Sequence, residues 1–432
     1  MVELVLLVLT IAWGTQAVLS ALQVGKFGRL FDKPRREMYE AYRPRAAVIV
    51  PFKGRELGLE ANVRGLLSQR YDDYRVVMVV ESDADPACAV IDAAIAEYGR
   101  ERAERIVAGR AGPNVGQKVH NQLAALAHLR KADGGEQVWV FADSDAVPGP
   151  DWLGDLVGPL GQPHRTAATT GYRWLVPTRH GPASARLCSS LASVMNSSVA
   201  CMLGHDRSNQ AWGGSMALRR DTAAEGELEA HLQGAITDDY VVTRLARRVG
   251  RRVYFVPRCL VASPVAMTWR QLVNFGHRQY LITRVYAPGV YAGALFVFAA
   301  YVLGMAGTWA AVAWGVARED WVLVILAGAG LVTVFVANQV RASLRAGMMR
   351  KAFDDATVAQ LRPAMRLDRW ATPVWMTLHL LLILRSGAGR TMTWRGVRYR
   401  VDGPQQVERV GGDDPPAPVA GAAGEFATDE RG

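Results

Sequence analysis

The chain has 432 residues, enough for two or three units of ordinary domain size, with a hydrophobic fraction of 50% and a formal net charge of +10 at pH 7. Because the basic residues cluster beside apolar stretches, this charge is typical of membrane flanks and argues against a nucleic-acid surface. The four cysteines are widely spaced and form no C-x-x-C pair, which argues against a disulfide framework or a zinc site and indicates a reduced, cytosolic setting.

The N-terminal segment is long and apolar enough to cross a membrane. Residues 1–24 contain a nearly uncharged stretch of about 23 residues, which matches the ~30 Å hydrocarbon core. Glu3 precedes this stretch and positive charge follows it, the reverse of a signal peptide. We therefore predict an uncleaved anchor with its N-terminus outside, followed by a basic linker at residues 25–45. The basic residues of this linker include Lys26, Arg29, Lys33, Arg35 and Arg36.

Residues 46–265 alternate short apolar strands with helical periods. The predicted strands are Ala46–Val50, Val76–Val80, Ile106–Ala108, Val138–Ala142, Ala167–Thr170, Ser215–Leu218 and Val253–Val256. Helical stretches lie between the early strands, at Leu57–Arg70, Pro86–Tyr98 and Gly116–Arg130. This alternation predicts an α/β domain with a largely parallel sheet and helices on both faces. In such sheets ligands bind at the carboxyl ends of the strands, so the residues that follow the strands are candidates for the site.

In the last third of the chain, apolar segments alternate with basic segments. A basic amphipathic segment at residues 266–287 precedes a predicted transmembrane hairpin at residues 288–340. A basic loop follows at residues 341–402 and contains a short apolar stretch, Ala371–Leu384. Its length of about 14 residues and the arginines after it favour a re-entrant or interfacial helix over a further span. The Pro-, Gly- and Ala-rich residues 403–432 predict a disordered tail.

Two aspartates follow the fourth predicted strand directly. The strand Val138–Ala142 runs into Asp143-Ser144-Asp145, so both carboxylates lie at a strand terminus. Carboxylates with this spacing can reach a hard divalent cation, Mg²⁺ or Mn²⁺, which neutralises a diphosphate. Chance and calcium-binding loops also produce the same spacing.

A second acidic pair, Asp238-Asp239, follows Thr237 and opens a helical pattern. One interpretation is a simple helix cap, because aspartates are favoured in the first turn of a helix. The other interpretation is that Asp238 caps the helix while Asp239 points into the cleft. There Asp239 would take the proton of an attacking hydroxyl as general base.

Three further segments follow strands or open helices. The acidic groups of Glu81-Ser82-Asp83-Ala84-Asp85-Pro86 can accept hydrogen bonds from a ribose or a base, or form a solvated turn. Lys118, at a helix start, can meet a phosphate. The Gly213-Gly214-Ser215 bend lets the backbone approach a ligand, or is a plain hairpin.

The order of these motifs resembles the inverting, membrane-integrated transferases of glycosyltransferase family 2. Within that group the chain is most similar to the ceramide glucosyltransferase branch, often separated as family 21. The resemblance covers roughly residues 46–400. The features behind this choice are Pro51-Phe52-Lys53-Gly54, Asp85-Pro86-Ala87 and Thr393-Trp394-Arg395-Gly396-Val397-Arg398-Tyr399-Arg400.

The resemblance implies a GT-A fold and a role for each candidate residue. Asp143 and Asp145 would lie at the metal and the diphosphate, Asp239 would be the general base, and Glu81 or Asp83 would lie near the nucleoside. The candidates are Asp239 and Asp238 for catalysis; Glu81, Asp83, Lys118, Asp143 and Arg278 for the donor; Asp145 and Asp143 for the metal; and Trp212, Gly213 and Gly214 for the acceptor.

The chain departs from the family's Q-x-x-R-W motif, which lies under the donor beside the membrane. It reads Phe275-Gly276-His277-Arg278-Gln279 and keeps only the arginine. In processive polysaccharide synthases the tryptophan helps to bind the acceptor sugar, so its loss argues against a processive role. Asn196 stands near the place of a histidine that eukaryotic ceramide enzymes carry, which argues against ceramide as the necessary acceptor.

The resemblance therefore implies transfer of a hexose, with glucose from UDP-glucose as the first expectation, to a hydroxyl of a membrane lipid. The acceptors considered are ceramide, another sphingolipid-like lipid and a polyisoprenoid lipid. Two alternatives stay open, a processive β-glycan synthase and a non-catalytic sugar-nucleotide-binding membrane protein. Because nucleotide sugars are cytosolic, we expect a multi-pass protein of the inner membrane with its catalytic domain on the cytoplasmic face.

Overall fold

The computed structural model describes residues 1–34, 37–204 and 208–411. Arg35 and Arg36 of the predicted basic linker lie outside the described residues, as does the part of the predicted disordered tail from residue 412 onward.

Seven strands form the central sheet, in the order β3-β2-β1-β4-β6-β5-β7. Strand β1 pairs in parallel with β2 and β4, β2 with β3, and β5 with β7, whereas β6 is antiparallel to both of its neighbours. The seven predicted strands and the largely parallel arrangement are confirmed. The strands are β1 Ala46–Pro51, β2 Tyr74–Val80, β3 Ala103–Val107, β4 Val138–Ala142, β5 Thr166–Pro177, β6 Ser215–Arg219 and β7 Arg252–Val265.

Helices cover both faces of this sheet, which explains why β1 and β4 are continuous apolar runs that are buried throughout. The helices are α1 Val2–Gly28, α2 Glu37–Glu40, α3 Leu59–Leu67, α4 Cys88–Tyr98, α5 Gln117–Ala132, α6 Trp152–Val157, α7 Ala183–Ala200, α8 Arg220–Glu225, α9 Leu228–Leu232, α10 Asp239–Arg248, α11 Trp269–Tyr286, α12 Pro288–Ala317, α13 Trp321–Ala352, α14 Asp355–Trp370 and α15 Thr372–Gly387. Short 3-10 helices lie at Arg29–Asp32 and Gly158–Gly161.

Three helical segments are long and apolar enough to cross a membrane: Val2–Asp32, Pro288–Ala317 and Trp321–Ala352. They pack against one another, although the first is far from the others in sequence. Glycines allow the close approach, since a Cβ on Gly304 would lie 2.6 Å from the Cβ of Trp13, and one on Gly330 would clash with Thr10. The N-terminal helix α1 and the helices α12 and α13 therefore form one helical unit.

The segment that we predicted as a basic loop is largely helical. Helix α13 continues well beyond residue 340, and α14 follows it. Arg341 and Arg345 are buried and pair with Asp368 of α14 at 3.1 and 2.9 Å. Their charges thus join two helices, which is why the loop prediction is wrong. Helix α15 covers the short apolar stretch and packs against α7, α11 and α12; its re-entrant or interfacial position stays a prediction.

A second, antiparallel sheet lies near the C-terminus. It contains β8 Thr391–Trp394, β9 Val397–Gly403 and β10 Gln406–Gly411, in the order β10-β9-β8. The prediction of disorder from residue 403 is therefore wrong for residues 403–411. Strand β10 pairs with β9 and buries Val407 in the same apolar core as α5 and α10, which supplies the burial that composition alone did not suggest.

Candidate active site

The loops that follow β1, β2 and β4 meet at one edge of the sheet, because these strands are parallel neighbours. The loop after β4 carries Asp143, Ser144 and Asp145. It is held by the side chain of Asn62, whose Nδ2 donates to the Asp143 carbonyl at 3.0 Å, and by Ser263, whose hydroxyl donates to the Asp145 carbonyl at 2.6 Å. Two elements distant in sequence thus position the two aspartates.

Lys118 joins the two acidic motifs. Its Nζ lies 2.7 Å from Oδ1 of Asp143 and 3.0 Å from Oδ1 of Asp238, and Gln122 donates to the other oxygen of Asp238 at 2.6 Å. Burial by itself would lower the pKa of Lys118, but Asp143, Asp238 and Asp239 raise it, so the side chain stays charged. In this structure Lys118 bridges carboxylates at the position where we predicted a phosphate contact; that contact stays a prediction.

Asp238 lies at the N-cap position of α10 but does not cap it. Its side chain accepts no hydrogen bond from a backbone amide of the first turn of α10, and it contacts Lys118 and Gln122 instead. Burial favours the neutral form of Asp238, yet the Lys118 charge and these hydrogen bonds hold its pKa below the ordinary value. The prediction that the Asp238 side chain caps the helix is therefore wrong, because a buried ammonium group is a stronger partner than an amide.

Asp239 is held by the backbone of the glycine bend. The Gly213 amide donates to Oδ1 of Asp239 at 2.6 Å. Burial, together with the negative charge of Asp238, raises the pKa of Asp239 to about 8, although Lys118 opposes this shift. Asp239 thus has the basicity that a group accepting a proton near neutral pH needs.

The two glycines of the bend lie directly against carboxylates. A Cβ on Gly213 would clash with the side chain of Asp238, and one on Gly214 would lie 2.6 Å from Oδ2 of Asp143. Trp212, predicted at the acceptor, is buried; its amide donates to the Thr170 hydroxyl at 2.9 Å. The bend therefore lies against the aspartates of the candidate site, and its contact with an acceptor stays a prediction.

Asp145 has the properties of a cation ligand. Its side chain is 30% exposed, but its Oδ1 is buried and accepts no hydrogen bond from any described residue. Burial and the neighbouring carboxylates of Glu56 and Asp143 raise its pKa to about 6, while Arg173 and Arg395 oppose the shift. An unpartnered carboxylate oxygen beside other carboxylates fits a hard divalent cation.

Side chains of the protein alone would not complete the coordination of such a cation. Within residues 1–34, 37–204 and 208–411, no group of three or more His, Cys, Asp or Glu side chains has the arrangement of a metal site. A cation at Asp145 and Asp143 would therefore take its other ligands from a bound diphosphate and water. We call Asp143, Asp145, Asp238, Asp239 and Lys118 the acidic cluster.

Three arginines face the acidic cluster from the other side. The guanidinium carbon of Arg278 lies 5.7 Å from the Phe275 ring centroid and 5.5 Å from that of Trp394, and Arg173 lies 5.2 Å from Phe275. Burial and the positive charges of Arg173 and Arg395 together lower the pKa of Arg278 to about 10, although Asp145 and Asp143 oppose the shift. We call Arg173, Arg278 and Arg395 the basic cluster. A bound anion would reduce the repulsion between these guanidinium groups.

The acidic residues of the segment after β2 make different contacts. Glu81 is partly buried and pairs with Lys53 at 2.7 Å. The side chain of Asp83 is 76% exposed and pairs with Arg105 at 2.6 Å. Asp85 accepts from the Gly54 amide at 2.9 Å and thereby joins the loops after β1 and β2. This geometry favours Glu81 over Asp83 as the group near a nucleoside, which stays a prediction for both.

Comparison with known sequences identifies the family. The model of glycosyl transferase family 21 matches residues 6–407. The chain belongs to glycosyltransferase family 21. The resemblance drawn from the motifs is therefore confirmed, and so is the GT-A fold with its mostly parallel sheet and apolar helices at both ends. A search of curated protein sequences found no match.

Solved structures of low sequence identity are similar to this family 21 chain. A mannosyltransferase from Pyrobaculum calidifontis in complex with GDP-Man and Mn²⁺ is 19% identical, with a TM-score of 0.43, over 86% of this chain and 100% of that chain. Glucosyl-3-phosphoglycerate synthase from Mycobacterium tuberculosis in complex with Mn²⁺ and UDP-glucose is 17% identical, with a TM-score of 0.32, over 55% of this chain and 76% of that chain.

Several residues of this glycosyltransferase's site escaped the sequence interpretation. Glu56 accepts from the Ser144 hydroxyl at 2.5 Å and pairs with Arg395, while Arg173 lies 3.8 Å from Asp145. No local pattern marks Glu56 or Arg173. Arg395 was named as part of the C-terminal motif of the family resemblance, and its hydrogen bond to the Lys53 carbonyl at 2.6 Å packs that motif against the catalytic sheet.

Proposed function

We propose that this family 21 glycosyltransferase moves one hexose, with glucose as the first choice, from a UDP-sugar to a hydroxyl of a membrane lipid with inversion. The observation that carries the proposal is the meeting of Asp143, Asp238 and Asp239 around Lys118 at the carboxyl edge of the sheet. Such a transfer needs one carboxylate that takes a proton and a separate set of charges near the diphosphate. The acidic cluster supplies the first, and Lys118 with the basic cluster supplies the second.

The reaction is a single in-line displacement. The acceptor oxygen forms a bond to the anomeric carbon while the bond between that carbon and the diphosphate oxygen breaks. Asp239 accepts the proton of the acceptor hydroxyl, and the nucleoside diphosphate leaves with the electron pair of the broken bond. Because the attack comes from the face opposite the leaving group, the configuration inverts without a covalent intermediate on the protein.

The remaining groups orient the base and balance the charge of the diphosphate. The Gly213 amide fixes Oδ1 of Asp239, and the raised pKa makes this carboxylate a stronger base than an ordinary aspartate. Lys118 and Arg278 bring positive charge toward the diphosphate. A divalent cation held by Asp145 and Asp143 would supply further positive charge to the same diphosphate.

A lipid acceptor suits the position of the site. Helix α11 carries Arg278 and packs against α12 and α15, so the cleft lies next to apolar helices. Gln279, at the tryptophan position of processive synthases, is exposed and offers no aromatic surface to a sugar chain. Both features favour a single transfer to a membrane lipid over polymer synthesis.

The direct test is transfer by the purified protein in detergent. UDP-, GDP- and other nucleotide hexoses are incubated with a total lipid extract, and products are read by mass spectrometry with Asp239→Asn as the matched inactive control. We expect one lipid species to gain a single hexose with UDP-glucose. A ladder of products, or hydrolysis of the donor without any lipid product, would contradict the proposal.

The proposed orientation is tested separately. We propose that the catalytic sheet faces the cytoplasm, because the turn between α12 and α13 then lies outside and the basic residues inside. Single cysteines at Glu319 and Gln406, both exposed, are treated with an impermeant thiol reagent on intact cells, with the four buried native cysteines replaced. Labelling at 319 and not at 406 is expected. Strong labelling at 406 would place the C-terminal sheet outside.

A further inference from the structure

The turn between β8 and β9 has an unusual backbone for its sequence. Arg395, in the turn Trp394-Arg395-Gly396, has φ +49°, in the left-handed region that glycine and asparagine favour. A bulky residue stays there only when its surroundings hold it, and such positions cluster at functional sites. The role of the turn is therefore inferred from the contacts of Arg395.

Arg395 reaches two separate loops of the catalytic sheet. Its Nη1 donates to the carbonyl of Lys53, in the loop after β1, at 2.6 Å, and its Nη2 pairs with Glu56. The other oxygen of Glu56 accepts from the hydroxyl of Ser144, between the two aspartates of the loop after β4. The chain Arg395–Glu56–Ser144 thus connects the hairpin to the loop that carries the candidate cation ligands.

The preceding residue of the turn, Trp394, reaches a third part of the site. The Trp394 ring lies 5.5 Å from the guanidinium of Arg278, on the amphipathic helix α11. Arg278 is close enough to both Arg395 and Arg173 for the positive charges to repel, and Glu56 is the direct carboxylate partner of Arg395. Three guanidinium groups around one cleft are balanced by an anion with several oxygens.

We propose that the β8–β9 hairpin closes the donor site, with Arg395 binding the diphosphate of the nucleotide sugar beside Arg278, and Glu56 acting as the positioning residue between Arg395 and the Asp143–Asp145 loop. This inference rests on the proposed function, since it takes a nucleoside diphosphate as the ligand. It adds a phosphate contact from a strand hairpin beyond the membrane helices, more than 240 residues after β4. The hairpin then couples donor binding to the order of the metal-binding loop.

The experiment compares the affinities of UDP and UMP, with Mn²⁺, for the purified protein by isothermal titration calorimetry. Arg395→Gln should weaken UDP binding about 10- to 100-fold, the range expected for a lost hydrogen bond to a charged group, and UMP binding by much less. Arg395→Lys should recover part of the loss because it keeps the charge. Glu56→Gln should leave the UDP-to-UMP affinity ratio high and lower kcat, as expected for a positioning residue.

Arg400→Gln is the matched control. Arg400 lies on the same hairpin and pairs with Asp402 and Glu408 on its exposed side, away from the basic cluster, so its loss should change UDP affinity less than about 2-fold. If Arg395→Gln weakens UDP and UMP equally, the hairpin is only structural and the inference falls. Unchanged UDP affinity in Arg395→Gln overturns it as well. Wild-type protein that binds none of UDP, GDP and CDP would instead remove the proposed function, and this inference with it.

Discussion

The acidic and basic clusters face each other across one cleft, but they balance their charges differently. In the acidic cluster, Lys118 pairs with Asp143 and Asp238, while the pKa values of Asp145 and Asp239 are raised. In the basic cluster, Arg278 packs against the rings of Phe275 and Trp394, and its pKa is lowered. Each cluster keeps a surplus of charge that the other offsets only in part, although Arg173 lies 3.8 Å from Asp145.

The difference indicates what kind of ligand the site is built for. A divalent cation would relieve the acidic cluster, and a diphosphate would relieve the basic cluster, so a metal-bound nucleotide sugar satisfies both at once. Buried charges without partners are costly, and a folded chain keeps them where function needs them. Removing the cation or a single carboxylate disturbs the acidic cluster while leaving the basic cluster intact.

The largest expected effect comes from removing the cation. Excess chelator should lower transfer on the order of 10³-fold, because the diphosphate leaving group loses its main neutralising charge, and added Mg²⁺ or Mn²⁺ should restore it. Asp145→Asn should reproduce the loss and resist rescue by added metal. Initial rates of lipid product formation measure both. Full activity of the wild-type protein in excess chelator would take the metal out of the mechanism.

Removing the base should have the next largest effect. Asp239→Asn should lower kcat by about 10²-fold or more while donor affinity survives, because only proton removal is lost. Asp354→Asn is the matched control, since Asp354 also starts a helix and its side chain caps α14 by accepting from the Thr357 amide at 2.8 Å. Near-normal kcat in Asp239→Asn would restore the alternative that this aspartate only serves its helix.

Asp239→Asn should raise the stability of the folded protein, although it lowers kcat. The pKa of Asp239 is raised to about 8 in the folded protein, so between about pH 4 and pH 8 the folded state holds a proton that the unfolded state has lost. Stability of the wild type should therefore fall as pH rises through this window. Without metal or donor, Asp239→Asn should melt a few degrees higher than wild type at pH 8, and the difference should shrink toward pH 5. Equal melting curves at pH 8 would contradict the charge surplus of the acidic cluster.

Much of the acidic cluster could be predicted from the sequence, whereas the basic cluster could not. Asp143 and Asp145 follow a buried apolar strand, and Asp239 opens an amphipathic helix, so local patterns mark them. Arg173, Arg278 and Arg395 lie in β5, in α11 and in a hairpin turn, and only tertiary packing brings them together. The family resemblance supplied Arg278, and no periodicity relates it to the other two.

The C-terminal sheet was missed for a related reason. Val397, Tyr399 and Val401 alternate with charged residues and are buried, which is the pattern of a half-buried strand. The basic residues up to 402 predicted a loop, and the Pro-, Gly- and Ala-rich residues from 403 predicted disorder. The strand is stable because its apolar face packs against the α5–α10 side of the large sheet. This contact is tertiary, so no local sequence pattern predicts it.

The smallest expected effects separate two acidic residues that the sequence left equivalent. Glu81→Gln should raise the donor KM about 10-fold, because Glu81 is partly buried, beside Lys53, at the strand end where a ribose or base would bind. Asp83→Asn should change it less than about 2-fold, because an exposed pair such as Asp83–Arg105 contributes little. Donor KM values at saturating lipid measure both, and kcat serves as the internal control, since neither residue belongs to the acidic cluster. A larger effect from Asp83→Asn than from Glu81→Gln would reverse the assignment and move the nucleoside toward the outer end of this loop.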